Sequence, residues 1–243
     1  MQPEPLRLLI HGASGRMGQG LLQLAQADPR FTVVAAVSSS GSPPTGSQAT
    51  CPWFASSRLQ DVPPFDVAID FSLPAALGAI VSLCAERGCA LVSGTTGLDA
   101  SQLAQIDALA LHSAVLCASN FSLGIAVLED LLRRASAALP AWELKIVETH
   151  HVHKQDAPSG TALTLARAAT TAGGRMPEIE SIRAGEVIGD HVARFAGPDE
   201  ILELSHRAQD RLIFVRGALE ASCLLHGRAA GLYRLGDLLF ESA

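Results

Sequence analysis

Leu6-Arg7-Leu8-Leu9-Ile10 followed by His11-Gly12-Ala13-Ser14-Gly15-Arg16-Met17-Gly18 is the stretch that decides the fold. A short apolar run gives way to a glycine-spaced turn, and an amphipathic stretch from Gln19 to Ala27 follows, so the order is strand, turn, helix. Such a turn needs glycine because the chain bends sharply and its backbone must approach a ligand closely. The unpaired N–H groups at the helix start then face a phosphate, as in a dinucleotide site. Arg16 adds a mobile cation. The spacing is G-x-x-G-x-x-G rather than G-x-G-x-x-G, and a tight structural turn without a ligand would use the same glycines.

Working outward, further apolar runs stand at 31–37, 67–71, 89–92 and 115–118, each short and uninterrupted as a strand buried on both faces should be. Ala/Leu-rich stretches with helical spacing separate them, which predicts a five-stranded, doubly wound parallel sheet. A Ser/Gly/Pro-rich stretch at 38–64 reads as loop with at most one short helix or strand, and no core is expected there. At the end of the second strand a dinucleotide site normally carries an acidic residue for the ribose or a basic one for a 2′-phosphate. This chain offers Ser38, Ser39 and Ser40, which neither repel nor firmly hold that phosphate. NADPH or dual use with NADH is the expectation, and serines that merely open a flexible loop are the alternative. The loops after later strands, Asp70-Phe71-Ser72, Gly94-Thr95-Thr96-Gly97 and Ser119-Asn120-Phe121-Ser122-Leu123-Gly124, should rise beside the nicotinamide. Each taken alone is an ordinary turn or helix cap; together they support one site.

A helix beginning near Gly124 ends before Pro140, and strict alternation then sets in at Glu143-Leu144-Lys145-Ile146-Val147-Glu148-Thr149. That is a strand with one solvated face. Further alternation at 187–195, 200–205 and 213–215 predicts a second, smaller α/β domain on an open mixed sheet. The closing stretch 218–240 reads as helix interrupted at 231–233 and is expected to pack back on the first domain. The chain therefore divides into a dinucleotide-binding domain at 1–122, joined by 218–243, and a second domain at 123–217.

The second chemical signal is His150-His151-Val152-His153-Lys154-Gln155-Asp156-Ala157-Pro158-Ser159-Gly160-Thr161-Ala162. If the strand persists, His150 points to one face and His151 and His153 to the other. Three histidines and a lysine concentrate proton donors and positive charge, which suits an anionic substrate that must gain a proton. Ser159 is a good N-cap, and a helix start at Gly160-Thr161 offers N–H groups and a partial positive charge to a carboxylate. A zinc site on His151 and His153 finds no third ligand at a suitable spacing, and Lys154 would repel the metal; no metal is expected. A purely structural cap on a solvated strand face is the remaining alternative.

Composition narrows the field. A net charge of −6 without a lysine- or arginine-rich block argues against nucleic acid. Five scattered cysteines with no C-x-x-C pair suggest neither a disulfide framework nor a zinc ribbon, and a reducing compartment fits best. The first apolar run is too short for a signal-peptide core, and no later one would span a bilayer, so a cytoplasmic location away from membranes is expected.

In these motifs the sequence resembles the dihydrodipicolinate reductase family. The matches are the turn at 12–18, Asp70-Phe71-Ser72, Gly94-Thr95-Thr96, Ser119-Asn120-Phe121-Ser122 and the run from His150 to Ala162, in family order and across essentially the whole chain. The stretch 183–191 is also similar to the family's second domain. The resemblance implies a Rossmann-type first domain binding NADPH or NADH through Gly12, Ala13, Ser14, Gly15, Arg16, Met17, Ser38, Ser39, Phe71, Gly94, Thr95, Thr96, Ser119, Asn120, Phe121 and Ser122. It implies reduction of 4-hydroxy-tetrahydrodipicolinate, a cyclic imine dicarboxylate of diaminopimelate and lysine biosynthesis. His150 falls on the catalytic proton donor and Lys154 on a second one. His151 falls on a substrate ligand, and Gly160 and Thr161, behind Ser159, on the carboxylate clamp. Homotetramers joined through the second-domain sheet are the family's usual assembly. The chain departs from the family at Ser38, where many members are acidic, at Ser39, where many have arginine, and in a short 39–62 region. Another imine reductase or amino-acid dehydrogenase on the same scaffold, or a non-catalytic nucleotide-binding regulator, are the rival readings.

Overall fold

The computed structural model describes residues 4–240, which form two compact units. One runs to Phe121 and resumes at Phe214; the other is Ser122–Ile213.

The first unit is built on β1 (Leu6–His11), β2 (Phe31–Ser38), β3 (Trp53–Ala55), β4 (Val67–Asp70), β5 (Ala90–Ser93), β6 (Ala114–Cys117) and β11 (Gly231–Tyr233). All pair in parallel in the order β11-β6-β5-β4-β1-β2-β3. The helices α1 (Arg16–Gln26), α2 (Pro74–Arg87), α3 (Ala100–Ala110), α6 (Leu212–Leu225, which starts two residues before this unit resumes) and α7 (Leu235–Phe240) complete it. Strands β1 and β4 are completely buried along most of their length, which explains their unbroken apolar character. Strand order reverses between β1 and β4, the point where ligands bind at the carboxyl ends of such sheets.

Two expectations are corrected here. The 38–64 stretch does carry core: Leu59 and Val62 are buried in the main apolar cluster, Phe54 packs against it, and β3 adds a seventh strand at the sheet edge. Its apolar residues are too few and too irregularly spaced to show a period. The interruption at 231–233 falls where expected, between α6 and α7, but it is itself the edge strand β11, paired with β6, so the sheet has seven strands rather than five.

The second unit has β7 (Glu143–His150), β8 (Glu178–Arg183), β9 (Asp190–Ala196) and β10 (Ile201–Arg207) in the order β10-β9-β7-β8, with α4 (Leu123–Ala138) and α5 (Gly160–Thr171) covering one face. Strands β7 and β8 are parallel and the other pairs antiparallel, so the sheet is mixed. Ile146, Ala193 and Phe195 meet Ile125, Leu132 and Leu165 beneath the helices. Residues 213–215 are not a strand but lie in α6. A run of three apolar residues fits either period, and the helix buries both Val215 and the Ala218 that follows three residues on. Strand β8 was not anticipated, because Glu-Ile-Glu-Ser-Ile-Arg carries only two apolar residues.

Candidate active site

In the first unit, β1 delivers the chain into the glycine turn. Gly12 sits at φ +78°, and a Cβ there would lie 2.5 Å from the carbonyl oxygen of Phe71. A Cβ on Gly18 would lie 2.4 Å from the carbonyl oxygen of Gly12, so glycine lets α1 press against the turn. Gly15 caps α1 with no side-chain hydrogen bond, leaving the first N–H groups of the helix for another acceptor. Ser14, Gly15 and Arg16 are exposed, and His11, Gly12, Ser38, Ser39, Phe71 and Ser72 help line a cavity of about 240 Å³ beside them. A backbone cradle that side chains would fill, at a helix start lacking a cap, fits a dinucleotide pyrophosphate.

Beneath this turn lies a buried carboxylate that the sequence reading passed over. Asp70, at the end of β4, accepts from His11 Nδ1 at 2.8 Å, Ser93 Oγ at 2.9 Å, Thr95 Oγ1 at 2.7 Å and the Ser72 N–H at 3.2 Å. Burial pushes its carboxyl up, but these donors, His11 foremost, outweigh that and hold it below the ordinary range. His11, Asp70 and Ser93 are register neighbours on β1, β4 and β5, so one side chain ties three strand ends together. Thr95 is therefore buried with its side chain turned inward, whereas Thr96 is exposed. A Cβ on Gly94 would collide with the ring of Phe71, which leans on Phe121 at 5.3 Å between centroids. Ser38 is buried and accepts from the Gly41 N–H, while Ser39 is exposed. Ser119 is exposed and Asn120 half-buried on the loop after β6. Ser122 belongs to the second unit, where its hydroxyl caps α4 by accepting from the Ile125 N–H.

In the second unit β7 ends at His150, so the strand alternation does not extend to His151 and His153, which lie in the following turn. Glu148 is fully buried and gathers the surroundings of His150. Its carboxylate takes a hydrogen bond from His150 Nδ1, one from the Ser159 N–H at 3.2 Å, and a two-pronged pair from Arg183 at 3.0 and 3.1 Å. Burial raises the Glu148 carboxyl, yet Arg183, Ser181 and His150 together bring it below its usual value. Arg183 also donates to the backbone carbonyls of Lys154 and Asp156, fastening the turn that carries the lysine. Burial lowers the pKa of His150, reinforced by Lys154 and Arg183 and opposed by Glu148.

Ser159 caps α5 as expected, accepting from the Ala162 N–H at 3.2 Å. Gly160 is exposed, with no heavy atom within 4 Å of where a Cβ would stand. Lys154 is paired with Asp156 at 2.8 Å, and His151 Nε2 accepts from Arg211 Nη2 at 3.1 Å. Sequence reasoning missed Arg183, Arg211, His191 and His206, whose partners lie far off along the chain, and Glu148, whose countercharge Arg183 does.

A parallel sheet whose first turn is stripped of side chains for a dinucleotide, with a second unit built around a held imidazole, defines a class: the nicotinamide-dependent oxidoreductases of α/β architecture. Comparison with known proteins narrows it. Residues 6–121 match the family described as dihydrodipicolinate reductase, N-terminus, and residues 124–239 match dihydrodipicolinate reductase, C-terminus. The chain is 52% identical to 4-hydroxy-tetrahydrodipicolinate reductase of Stenotrophomonas maltophilia (strain K279a), covering 98% of this chain and 100% of the relative. It is 53% identical to the enzyme of the same name from Xanthomonas euvesicatoria pv. vesicatoria (strain 85-10), with the same coverage. The chain belongs to the dihydrodipicolinate reductase family. Its fold is that of the dipicolinate-bound dihydrodipicolinate reductase from Paenisporosarcina sp. TG-14, at a TM-score of 0.82 and 24% identity over 97% of this chain and 99% of that one. A diaminopimelate dehydrogenase from C. glutamicum shares the architecture at a TM-score of 0.64 and 11% identity over 99% of this chain and 97% of that one.

Proposed function

We propose that this chain is a 4-hydroxy-tetrahydrodipicolinate reductase, reducing a cyclic imine dicarboxylate with NADPH or NADH in diaminopimelate and lysine biosynthesis. The observation that carries this reading is the Glu148 cluster, which holds an imidazole and a capped helix start within one hydrogen-bonded group. It provides a proton donor and a carboxylate receptor side by side.

The first unit would hold the dinucleotide: Gly12, Ala13, Ser14, Gly15, Arg16 and Met17 at the pyrophosphate, Ser38 and Ser39 at the ribose end, and Phe71, Gly94, Thr95, Thr96, Ser119, Asn120 and Phe121 toward the nicotinamide. The reduced cofactor, when bound, supplies a hydride. Everything else is done by side chains and backbone of this chain. The N–H groups at Gly160 and Thr161, behind Ser159, bind a substrate carboxylate, and His151 orients the ring. His150 holds the transferable proton on Nε2, because Glu148 occupies Nδ1. In the free protein, burial keeps this imidazole neutral more than is usual. Two substrate carboxylates bring negative charge that raises its proton affinity, so the donor is charged when substrate is present. Lys154 serves as second donor after releasing Asp156.

The sheet face turned away from α4 and α5 carries Val147, Val192 and Ile201 among the ion pairs Lys145–Glu180, Arg194–Glu203 and Arg207–Asp190. Two adjacent valines and an exposed isoleucine set among paired charges suit a self-complementary contact, and we assign to this face the homotetramer interface. Among the described residues no helix is long and apolar enough to cross a membrane; a cytoplasmic location is part of this proposal.

The direct test follows loss of reduced-nicotinamide absorbance with NADPH and with NADH on freshly generated 4-hydroxy-tetrahydrodipicolinate. Turnover with either is expected. Cofactor binding without turnover on this substrate would overturn the assignment.

A further inference from the structure

Strands β7, β9 and β10 bring three imidazoles to one end of the helix-covered face. His191 lies edge-on to His150 at 5.3 Å between centroids and 80° between planes, and His206 follows at 6.4 Å. His191 and His206 are direct register partners. Each has its Nε2 against the N-cap serine of a different helix: His191 at 3.5 Å from Ser159 Oγ, a long contact, and His206 at 3.2 Å from Ser122 Oγ. Each serine already accepts the N–H three residues ahead in its helix. Both histidines also have a buried Nδ1 with no hydrogen-bond partner among the described residues.

The orphaned nitrogens fix the tautomer. A buried N–H without an acceptor is rarer and costlier than a buried lone pair without a donor. The proton therefore sits on Nε2, and the imidazole donates to the serine. A serine oxygen has two acceptor lone pairs, so Ser159 can take the Ala162 N–H and the His191 N–H together. Such a serine is held from the sheet side as well as from its own helix. The first turn of α5, with Gly160 and Thr161, is then aimed by the sheet.

We infer that His191 is a positioning residue: through its Nε2–H it locks Ser159, and with it the α5 start, in the orientation that receives a substrate carboxylate, His206 doing the same for Ser122 of α4. The inference rests on the carboxylate-receptor role proposed above for Gly160 and Thr161. His191 is 4% exposed, and its burial, aided by the charges of His150 and His206, lowers its pKa to about 4, so it remains a neutral donor under working conditions.

The test uses dipicolinate, a non-reacting dicarboxylate, titrated calorimetrically into the cofactor-loaded enzyme. His191→Phe keeps the ring and removes the donor; Ser159→Ala removes the acceptor. Each single change should weaken dipicolinate binding about tenfold, and the double change no more than either alone, because both break one link. His191→Asn, which keeps a donor, should recover part of the loss. In the unaltered protein, histidine nitrogen resonances should show His191 with a protonated Nε2 and a bare Nδ1, a signature that holds whether or not the variants fold. Additive losses from the two single changes, unaltered binding by a folded His191→Phe, or the opposite tautomer would each overturn the inference while leaving the functional reading standing. If the unaltered enzyme ignores dipicolinate and the true substrate alike, both fall.

Discussion

His150 Nδ1 donates to a carboxylate, that of Glu148, which is two residues behind it on the same strand face and has no contact with solvent. The alternation of β7 puts both side chains on the covered face, and this bond leaves only Nε2 for outside chemistry. A side chain that donates a proton in the rate-determining step contributes roughly 10²–10⁴ in rate. His150→Gln should lower kcat by a factor of roughly 10²–10³ with cofactor affinity nearly unchanged. Glu148→Gln, which keeps the shape and loses the charge, should lower kcat by a smaller factor of about 10. Steady-state kinetics with reduced-cofactor fluorescence titration reads both; unchanged kcat in His150→Gln removes it from the proton-donor role.

Arg183 supplies the countercharge for Glu148 across 35 residues of chain, through both of its terminal nitrogens. Removing it strands a buried anion. Arg183→Met should cost about 3–5 kcal/mol of stability, and adding Glu148→Gln should return part of that, since the uncompensated charge is then gone. Denaturant unfolding of the two single variants and the double variant measures it. A double variant less stable than the sum of the singles would contradict this account.

What the sequence discloses is what is contiguous. The glycine turn, the strand before it, the Ser159 cap and the histidine–lysine run all announce themselves because each is a local pattern with a local cause. The partnerships are hidden. Glu148 stands in phase with Leu144 and Ile146 on the covered face, yet its countercharge is invisible until β8 brings Arg183 to it, and β8 itself has too little apolar content to betray its period. Asp70 looks like part of a loop motif, yet it is the acceptor for side chains from the ends of β1 and β5 and from Thr95 in the loop beyond. Leu59 and Val62 enter the core from a stretch whose composition is that of a loop, Leu59 from short 3-10 turns at Ser56–Asp61 kinked at Arg58 and Val62 from the extended residue that follows. Each miss has one cause: tertiary pairing assigns a side chain its environment, and spacing along the chain does not.

Gly160 separates binding from folding. It opens α5, and a methyl group there would meet no protein atom within 4 Å. Alanine is a better helix residue than glycine by roughly 0.5–1 kcal/mol. Gly160→Ala should therefore keep or slightly raise Tm while raising KM for the dicarboxylate about tenfold, because the methyl group occupies space that a bound carboxylate needs. A thermal melt beside substrate kinetics decides it. An unchanged KM would take the α5 start out of the receptor.

Ser39 is exposed at the rim of the cavity beside the glycine turn, with no neighbouring cation in the short serine run to meet a 2′-phosphate. Arginine binds phosphate through a planar fork of donors. Ser39→Arg should lower KM for NADPH about tenfold and change that for NADH by less than about twofold. Parallel kinetics with the two cofactors test this, and equal shifts for both would move the adenosine end of the cofactor away from Ser39.

Stability should fall in mild acid before the carboxylates begin to titrate. His191 has an unfolded value of 6.5 and a folded value near 4, lowered first by burial and then by His150 and His206, with Glu148 and Asp190 pulling weakly the other way. A depressed histidine binds its proton more readily in the unfolded chain, so the unfolded state gains protons first as pH drops. The contribution is fully present above pH 6.5 and is lost progressively down to about 4, by about 3 kcal/mol over that window. His150 and His206 are also lowered, chiefly by burial, and act in the same direction. Glu148 and Asp70, whose folded carboxyls lie below the usual range, add their own loss as pH falls through their unfolded values of 4.5 and 3.8. Denaturant unfolding at successive pH values should give a slope between pH 6.5 and 4 that His191→Phe makes visibly shallower, whatever that variant does to stability at neutral pH. A slope unaffected by the substitution would mean that His191 titrates in the folded protein as it does in the unfolded chain, which a buried donor to Ser159 would not do.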